Sequence, residues 1–350
     1  TRNIWTEILG WVHFLAPFLA FLGISLTRKP FFGKLDPFSR LDVSIPRVNK
    51  LRENGTYLPI LKRQFRHKDP ATGEIITYHV NIKPARLEDK QGNVKEYYPT
   101  EREELVEEAL RKIATVTEGG VYLNNCAGVQ FTLYQLRREL ESRGHSIHLD
   151  KLIEALNICS ETILEVKSET GDDVLKSTIF PELLITSRQE WLKHPKDAKC
   201  YVQFNRLVTF SINHLTYRQF DYMTFMAYRS PLARWLHKRL FHKYVYADLL
   251  NSHTLSASTI IRDSGLANAA RLRDSFITIE KAMDELKAKE VIASYDKKVC
   301  YAENNLKITD IQYEIRPTRS FVAEMKAANK RCQVIEQKAA LQEPVHPSNR

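Results

Sequence analysis

The fold is decided by residues 257–289, which read ASTIIRDSGLANAARLRDSFITIEKAMDELKAK. A short helix is predicted over Ala257–Ser264. It should end at Gly265, because glycine readily adopts the left-handed backbone conformation that terminates helices. Asn268 can cap the next helix, predicted over Ala269–Lys289. The apolar stripe of that helix has alternating spacings of four and three and should pack on the core; it consists of Leu272, Phe276, Ile279, Met283 and Leu286. Two helices joined by a tight glycine turn predict a helix-turn-helix unit.

The residues on either side of this unit extend it to a winged domain. Ser230 followed by Pro231 is typical of a helix start, with a capping hydroxyl and proline at the first helical position. A helix is therefore predicted over Pro231–Tyr244. After the unit, Val291–Tyr295 and Leu306–Ile315 predict the two strands of a β-hairpin. Helix, turn, helix and hairpin in this order predict a winged helix-turn-helix domain.

The same order of elements occurs earlier in the chain. Thr132 with Gln135 three residues later is a capping box, and Gly144 ends the helix that it opens. The predicted helices are Glu103–Thr115, Leu133–Arg143 and about Ile147–Ile158, and the predicted strands are Val129–Phe131, Thr162–Val166 and Val174–Ile179. We therefore expect an α+β fold, mainly α with small β wings, in which two tandem winged helix-turn-helix domains follow an extended N-terminal region.

The predicted domain organisation has five parts. These are an apolar segment (1–26), an extended basic linker (27–98), a first winged-helix domain for dimerisation and auxiliary DNA contact (99–212), a second winged-helix domain as the principal DNA reader (213–316), and a C-terminal helix and tail (317–350). The apolar run Ile4–Leu26 is long enough to span a bilayer of ~30 Å. Three interpretations stay open for it: a membrane anchor, an interfacial helix, or an extension that is not part of the functional protein.

The charge distribution suggests two kinds of partner. The chain of 350 residues has a net charge of +10. Residues 1–98 and 216–350 each have a balance of +7, whereas residues 99–215 have a balance of −4. A basic third beside an acidic middle is typical of a protein in which one region meets a polyanion and another meets protein. The alternative is an ordinary soluble basic surface.

The cysteines and the absence of familiar motifs narrow the function class. The five cysteines are scattered and form no C-x-x-C pair, so neither a zinc ribbon nor a disulfide framework is predicted, and a reducing, cytoplasmic location is expected. No phosphate-binding loop, G-x-G-x-x-G or H-E-x-x-H motif is found. The pairs His145/His148 and His237/His242 lack a third ligand at a familiar spacing. We therefore expect no enzyme activity, no metal and no cofactor.

The helix Ala269–Lys289 has a polar face that suits DNA recognition. Arg271 and Arg273 lie at its N-terminal end, where side chains reach base edges first, and Ile277 can meet a thymine methyl group. The full set of predicted DNA contacts is Arg262, Asn268, Arg271, Arg273, Ile277, Thr278, Lys281, Lys297 and Lys298, with weaker contacts from His148 and Lys151 of the first copy. The alternative is a solvated helix face, on which Asp274 and Glu285 balance the basic residues.

Several stretches resemble plasmid replication initiators of the TrfA type. The most specific is Ser230-Pro-Leu-Ala-Arg-Trp-Leu-His, which follows Asn213-His-Leu-Thr-Tyr-Arg-Gln-Phe. Phe131–Val166 resembles the first winged domain of that family and Arg271–Tyr295 its final helix and wing, so the likeness covers about residues 100–315.

This resemblance implies an initiator that binds tandem repeats (iterons) at a plasmid origin. It further implies opening of an adjacent A·T-rich segment and recruitment of host DnaA and the replicative helicase. The second winged domain would read the repeat, and the first would add DNA contacts and form a dimer that is inactive or autoregulatory.

Two other functions remain open from the sequence. A winged-helix transcriptional regulator would bind a palindromic operator as a dimer. A membrane-anchored structural protein would use residues 4–26 for membrane association and its basic body to contact anionic lipid.

Overall fold

A computed structural model describes residues 59–68, 75–89, 91–116, 119–168, 174–186, 199–213, 221–264, 271–302 and 308–342. The apolar run Ile4–Leu26 and the predicted cap Asn268 therefore lie outside the described residues. None of the described helices has both the length and the apolar character needed to cross a membrane.

The described residues up to Met226 form ten strands interleaved with helices. In chain order these are β1 (Leu61–Lys68), β2 (Ile75–Lys83), β3 (Ala85–Glu88), β4 (Val94–Tyr97), α1 (Glu101–Val116), β5 (Gly120–Leu123), β6 (Cys126–Phe131), α2 (Leu133–Ser142), α3 (Leu149–Glu161), β7 (Ile163–Ser168), β8 (Val174–Thr178), β9 (Glu182–Leu184), β10 (Cys200–Gln203), α4 (Arg206–Asn213) and α5 (Tyr222–Met226). The order α1, α2, α3 and the hairpin β7–β8 is that of the first predicted winged domain.

Local sequence accounts for the ends of these helices. The Thr132 hydroxyl accepts a hydrogen bond from the Gln135 backbone N–H at 3.1 Å, as the capping box predicts. Gly144 has a φ of +84°, the left-handed conformation that ends α2. A contact not recognised in the sequence stabilises the start of α1: the Glu103 carboxylate accepts from the Thr100 backbone N–H and from the Thr100 hydroxyl, each at 2.7 Å.

The sheets of the first half differ from the sequence prediction. The wing strands β7 and β8 belong to an antiparallel four-stranded sheet of order β1-β2-β7-β8, and Val80 of β2 lies opposite Val166 of β7. The range 27–98 is predicted to be an extended linker with a strand-like piece at Gly73–Ile82. In the structure β1 and β2 complete this sheet, and β3 and β4 pair with each other. Pairing between residues more than eighty positions apart leaves no local signal in the sequence.

The second half forms a smaller unit around one sheet. Its elements are α6 (Pro231–Lys243), β11 (His253–Ser256), α7 (Ala257–Ser264), α8 (Leu272–Ala288), β12 (Ile292–Tyr301), β13 (Ile308–Pro317) and α9 (Arg319–Gln342). The sheet has the order β11-β13-β12, so the first strand of the domain pairs with the wing. The α+β class and the order of helices and wing strands in both copies are confirmed. The predicted turn at Gly265 lies outside the described residues.

The helices and strands predicted for the second domain are present, but the bounds of α8 and of the wing strands differ from the prediction. The Ser230 hydroxyl caps α6 by accepting from the Ala233 backbone N–H at 3.3 Å, and α7 has its predicted limits. However, α8 begins at Leu272 rather than at Ala269, with Arg271 in extended conformation as the residue before the first turn. In the wing, β12 is longer than predicted and extends to Tyr301, whereas β13 has the predicted length and ends two residues later, at Pro317.

Two separate cores lie side by side along the chain. The first contains the buried faces of α1, α2 and α3 and ends with Phe225 and Met226 of α5. The second begins at Tyr228 and gathers α6, α7, α8, the inner face of the sheet and the start of α9. Short α5 therefore connects the two winged domains while its own apolar side chains belong to the first.

Candidate nucleic-acid interface

The N-terminal half of α8 presents a continuous exposed face. Its inner side buries Phe276, Ile279 and Met283, which fixes the opposite side toward solvent. The exposed residues are Arg271, Arg273, Asp274, Ile277, Thr278 and Lys281. The structure thus brings together five of the predicted contacts, with Asp274 the one acidic group among them.

The prediction that Leu272 belongs to the buried apolar stripe is wrong. The sequence places it with the buried residues of the helix, but its side chain is 41% exposed. The reason is its position in the first helical turn, which extends past the core that α6 and the sheet provide. Ile277 is similarly 42% exposed, so two apolar side chains are displayed among the basic ones.

The predicted wing strand ends at Tyr295, which would place Lys297 and Lys298 near the wing tip. In the structure β12 extends to Tyr301, so both lysines lie in the middle of this strand. Neighbouring strand residues point to opposite faces of a sheet, so the two side chains diverge. Lys297, opposite Tyr313, reaches α8 and forms an ion pair of 3.0 Å with Glu280. Lys298, opposite Gln312, is exposed on the outer face of the sheet.

Arg262 is exposed on α7, but its charge is shared with a neighbour. Its guanidinium donates to Asp263 at 2.8 Å, and this hydrogen bond raises the pKa of Arg262 above its ordinary value. Asp263 also pairs with Arg239 of α6 at 3.0 Å. Arg262 therefore offers less net positive charge to a phosphate than its exposure suggests.

The third helix of the first domain presents a different surface. His148, the residue before α3, lies 3.5 Å from Asp150. The Lys151 ammonium pairs with Glu154 at 2.8 Å. Both predicted contacts of this helix therefore lie beside an acidic group.

The described part of the chain shows no arrangement of at least three His, Cys, Asp or Glu side chains suited to hold a metal ion. His237 is instead a core residue of the second domain, 1% exposed, with Tyr228 and Phe241 packed edge-to-face against its ring.

Comparison with known proteins gives structural similarities only. No family model and no curated protein matches the sequence. A crystal structure of RctB domains 2–3 has a TM-score of 0.44 at 10% identity, covering 77% of this chain and 95% of that one. A selenomethionine form of RctB domains 2 and 3 has the same score and identity, with coverages of 73% and 91%. The Pi initiator protein in complex with iteron DNA has a TM-score of 0.35 at 13% identity, with coverages of 62% and 94%.

Proposed function

We propose that the chain is a sequence-specific initiator of plasmid replication that binds double-stranded DNA repeats through α8. The observation that carries this proposal is the exposed face of α8, where Arg271, Arg273 and Lys281 lie beside Ile277 in the third-helix position of a winged domain. In such domains the N-terminal half of this helix enters the major groove.

The face offers both kinds of contact that DNA recognition needs. An arginine can donate two hydrogen bonds to O6 and N7 of a guanine, and the exposed Leu272 and Ile277 can contact thymine methyl groups. Lys281 and Lys298 suit the phosphate backbone, where a single cation fixes position without reading sequence. The proposed action is binding, without covalent chemistry.

Two winged domains on one chain favour a long asymmetric site. Successive major grooves on one side of a duplex are about 34 Å apart, so a single chain can contact two of them. Binding at repeated sites can bend the DNA and contribute a few kcal/mol toward opening a flexible A·T-rich neighbour. The resemblance to TrfA-type initiators supports the further steps, recruitment of host DnaA and of the replicative helicase.

The acidic surroundings of α3 support a division of labour between the domains. A helix whose lysine is paired with Glu154 gains little from approaching phosphates. The first domain therefore supplies auxiliary DNA contacts and the interface of a dimer, while the second reads the repeat.

Alanine at Arg271 or Arg273 is expected to weaken binding to the preferred duplex by about 1–3 kcal/mol each and to relax selectivity at one base pair. The loss arises because a two-pronged contact to guanine disappears. Equilibrium titrations of the full chain against duplexes that differ at single positions measure both effects.

Lys287 is the matched control for these arginines, because it is exposed on the last turn of the same helix. Lys287→Ala should leave affinity and selectivity unchanged. Full affinity and full selectivity in both arginine variants would show that this face does not read bases.

Lys298→Ala should weaken binding to all sequences alike and reduce the slope of log K against log salt by about one unit. Lys297→Ala should change the slope less, because the ammonium is already paired with Glu280. Titrations at several salt concentrations with a preferred and an unrelated duplex distinguish the two lysines. A base-specific loss for Lys298→Ala would contradict a phosphate contact.

Selection of bound duplexes from a random pool by the full chain tests the proposed function. A long asymmetric site that recurs in a plasmid origin supports an initiator. A short palindrome would favour a dimeric transcriptional regulator instead. Recovery of no preferred sequence would overturn sequence-specific binding.

A further inference from the structure

The two winged domains meet at a buried cluster of charged side chains. Glu101, Glu104 and Glu108 project from α1 of the first domain, and Arg234 and Lys238 project from α6 of the second. The arginine is 0% exposed and the lysine 2% exposed. Long cationic side chains are almost never buried to this extent unless they are paired.

The contacts within the cluster cross the domain boundary. Glu104 bridges both cations, with 3.3 Å to Arg234 Nε and 3.2 Å to Lys238 Nζ. Lys238 also pairs with Glu108 at 2.9 Å, and Arg234 with Glu101. The Lys238 ammonium lies 4.6 Å from the centroid of the Phe225 ring, which belongs to the first core.

Arg234 is also tied to the segment that joins the domains. Its Nη1 donates to the backbone carbonyl of Tyr228 at 2.7 Å, directly after α5. The guanidinium therefore connects α1, α6 and the joining segment at one point. The planar donor fork of arginine suits this role, since it serves several acceptors in fixed directions.

The cluster lies on a direct path between the two candidate recognition helices. In the first domain α3 packs on α1, and in the second domain α8 packs on α6. The ion pairs join α1 to α6, so the path α3–α1–α6–α8 is continuous. The orientation of one recognition helix relative to the other depends on the geometry of the cluster.

We propose that Arg234 and Lys238 are positioning residues that fix the angle and separation of the two winged domains. Ion pairs bury charge at a desolvation cost, so their value lies in the single geometry that satisfies them. The consequence for DNA rests on the proposed function: a fixed separation lets one chain engage two grooves without an ordering cost at binding.

The first experiment measures domain orientation without DNA. Spin labels carried by non-canonical amino acids at the exposed positions Glu141 of α2 and Lys287 of α8 report the distance between the domains by pulsed electron resonance. The full chain should give one narrow distance distribution. The variant R234M/K238M should give a broad one, because the methionines keep the apolar stems but not the charges.

Two further variants separate positioning from general damage. K238R keeps both positive charges and the donor fork of Arg234 and should give a narrow distribution. R239M removes the 3.0 Å pair between Arg239 and Asp263, which lies inside the second domain, and should leave the distribution unchanged. If R234M/K238M does not fold, Glu108→Gln, which removes one carboxylate from Lys238, is measured in its place with the same expected broadening.

A narrow distribution in the folded methionine variant, or a broad one in K238R, would overturn the proposal. The second experiment footprints the selected duplex. Wild type should protect two stretches at one separation, while the methionine variant keeps the stretch under α8 and loses affinity by about 10²-fold. If the methionine variant keeps both the second protected stretch and the wild-type affinity, the proposal is also overturned. If wild type selects no DNA, the proposed function fails and the distance distributions alone decide the positioning role.

Discussion

Glu104→Ala is expected to lower the free energy of unfolding by about 3–5 kcal/mol. The substitution removes the carboxylate that lies between Arg234 and Lys238 and leaves both cations with fewer partners in a region closed to water. Each remaining cation keeps one carboxylate, Glu101 or Glu108, but a buried charge is costly unless its pairing is complete. Urea denaturation at constant pH measures the loss.

Glu154→Ala is the matched control for this prediction. Glu154 also bridges two cations, Arg102 at 2.9 Å and Lys151 at 2.8 Å, but all three side chains are partly exposed to solvent. A surface ion pair contributes about 0–1 kcal/mol, so this variant should remain close to wild type. Equal losses for the two variants would show that burial does not decide the stability of the Glu104 cluster.

The contrast between these two glutamates also shows what could be predicted from the sequence. Periodicity places Leu105, Ala109 and Leu110 of α1 on a buried face, and all three are buried. The same reasoning assigns the intervening glutamates to solvent, because charged residues on an amphipathic helix normally face water. Their partners lie about 130 residues away on α6, and no local pattern reports a contact at that distance.

The candidate DNA-binding face was predictable for a different reason. The outward residues of α8 are set by the helical period of its own sequence, which is a local feature. Ile277 and Arg273 are accordingly exposed as predicted. Leu272 was misplaced because periodicity alone does not tell where the core beneath a helix ends.

The strand pairing was the least predictable part of the fold. The hairpin β7–β8 has a local turn and was recognised, but its partner β2 is separated from it by α1, α2 and α3. The alternation of residues in β2 is compatible with an extended segment as well as with a strand. The strand is favoured because the apolar side chains of β2 match those of β7, and this match cannot be seen in the sequence of β2 alone.

Acidification from pH 7 to pH 5 is expected to lower the free energy of unfolding by about 2 kcal/mol through His237 alone. Burial lowers the pKa of His237 to about 4; the charge of Asp221 opposes this shift and that of Lys238 adds to it. The unfolded chain, with an ordinary histidine pKa of about 6.5, binds a proton that the folded chain excludes. Stability from the neutral ring is therefore complete above pH 6.5 and is lost as the pH falls toward 4.

The variant His237→Phe tests this term, because it keeps an aromatic ring against Tyr228 and Phe241 and removes the titrating group. Its unfolding free energy should fall less between pH 7 and pH 5 than that of wild type, by the same ~2 kcal/mol. Phe241→Leu perturbs the same core without removing a titrating group and should lower stability equally at both pH values. All other ionisable groups are the same in the three proteins, so their contribution cancels in the comparison. An identical pH dependence for wild type and His237→Phe would show that protonation of His237 does not cause the loss of stability.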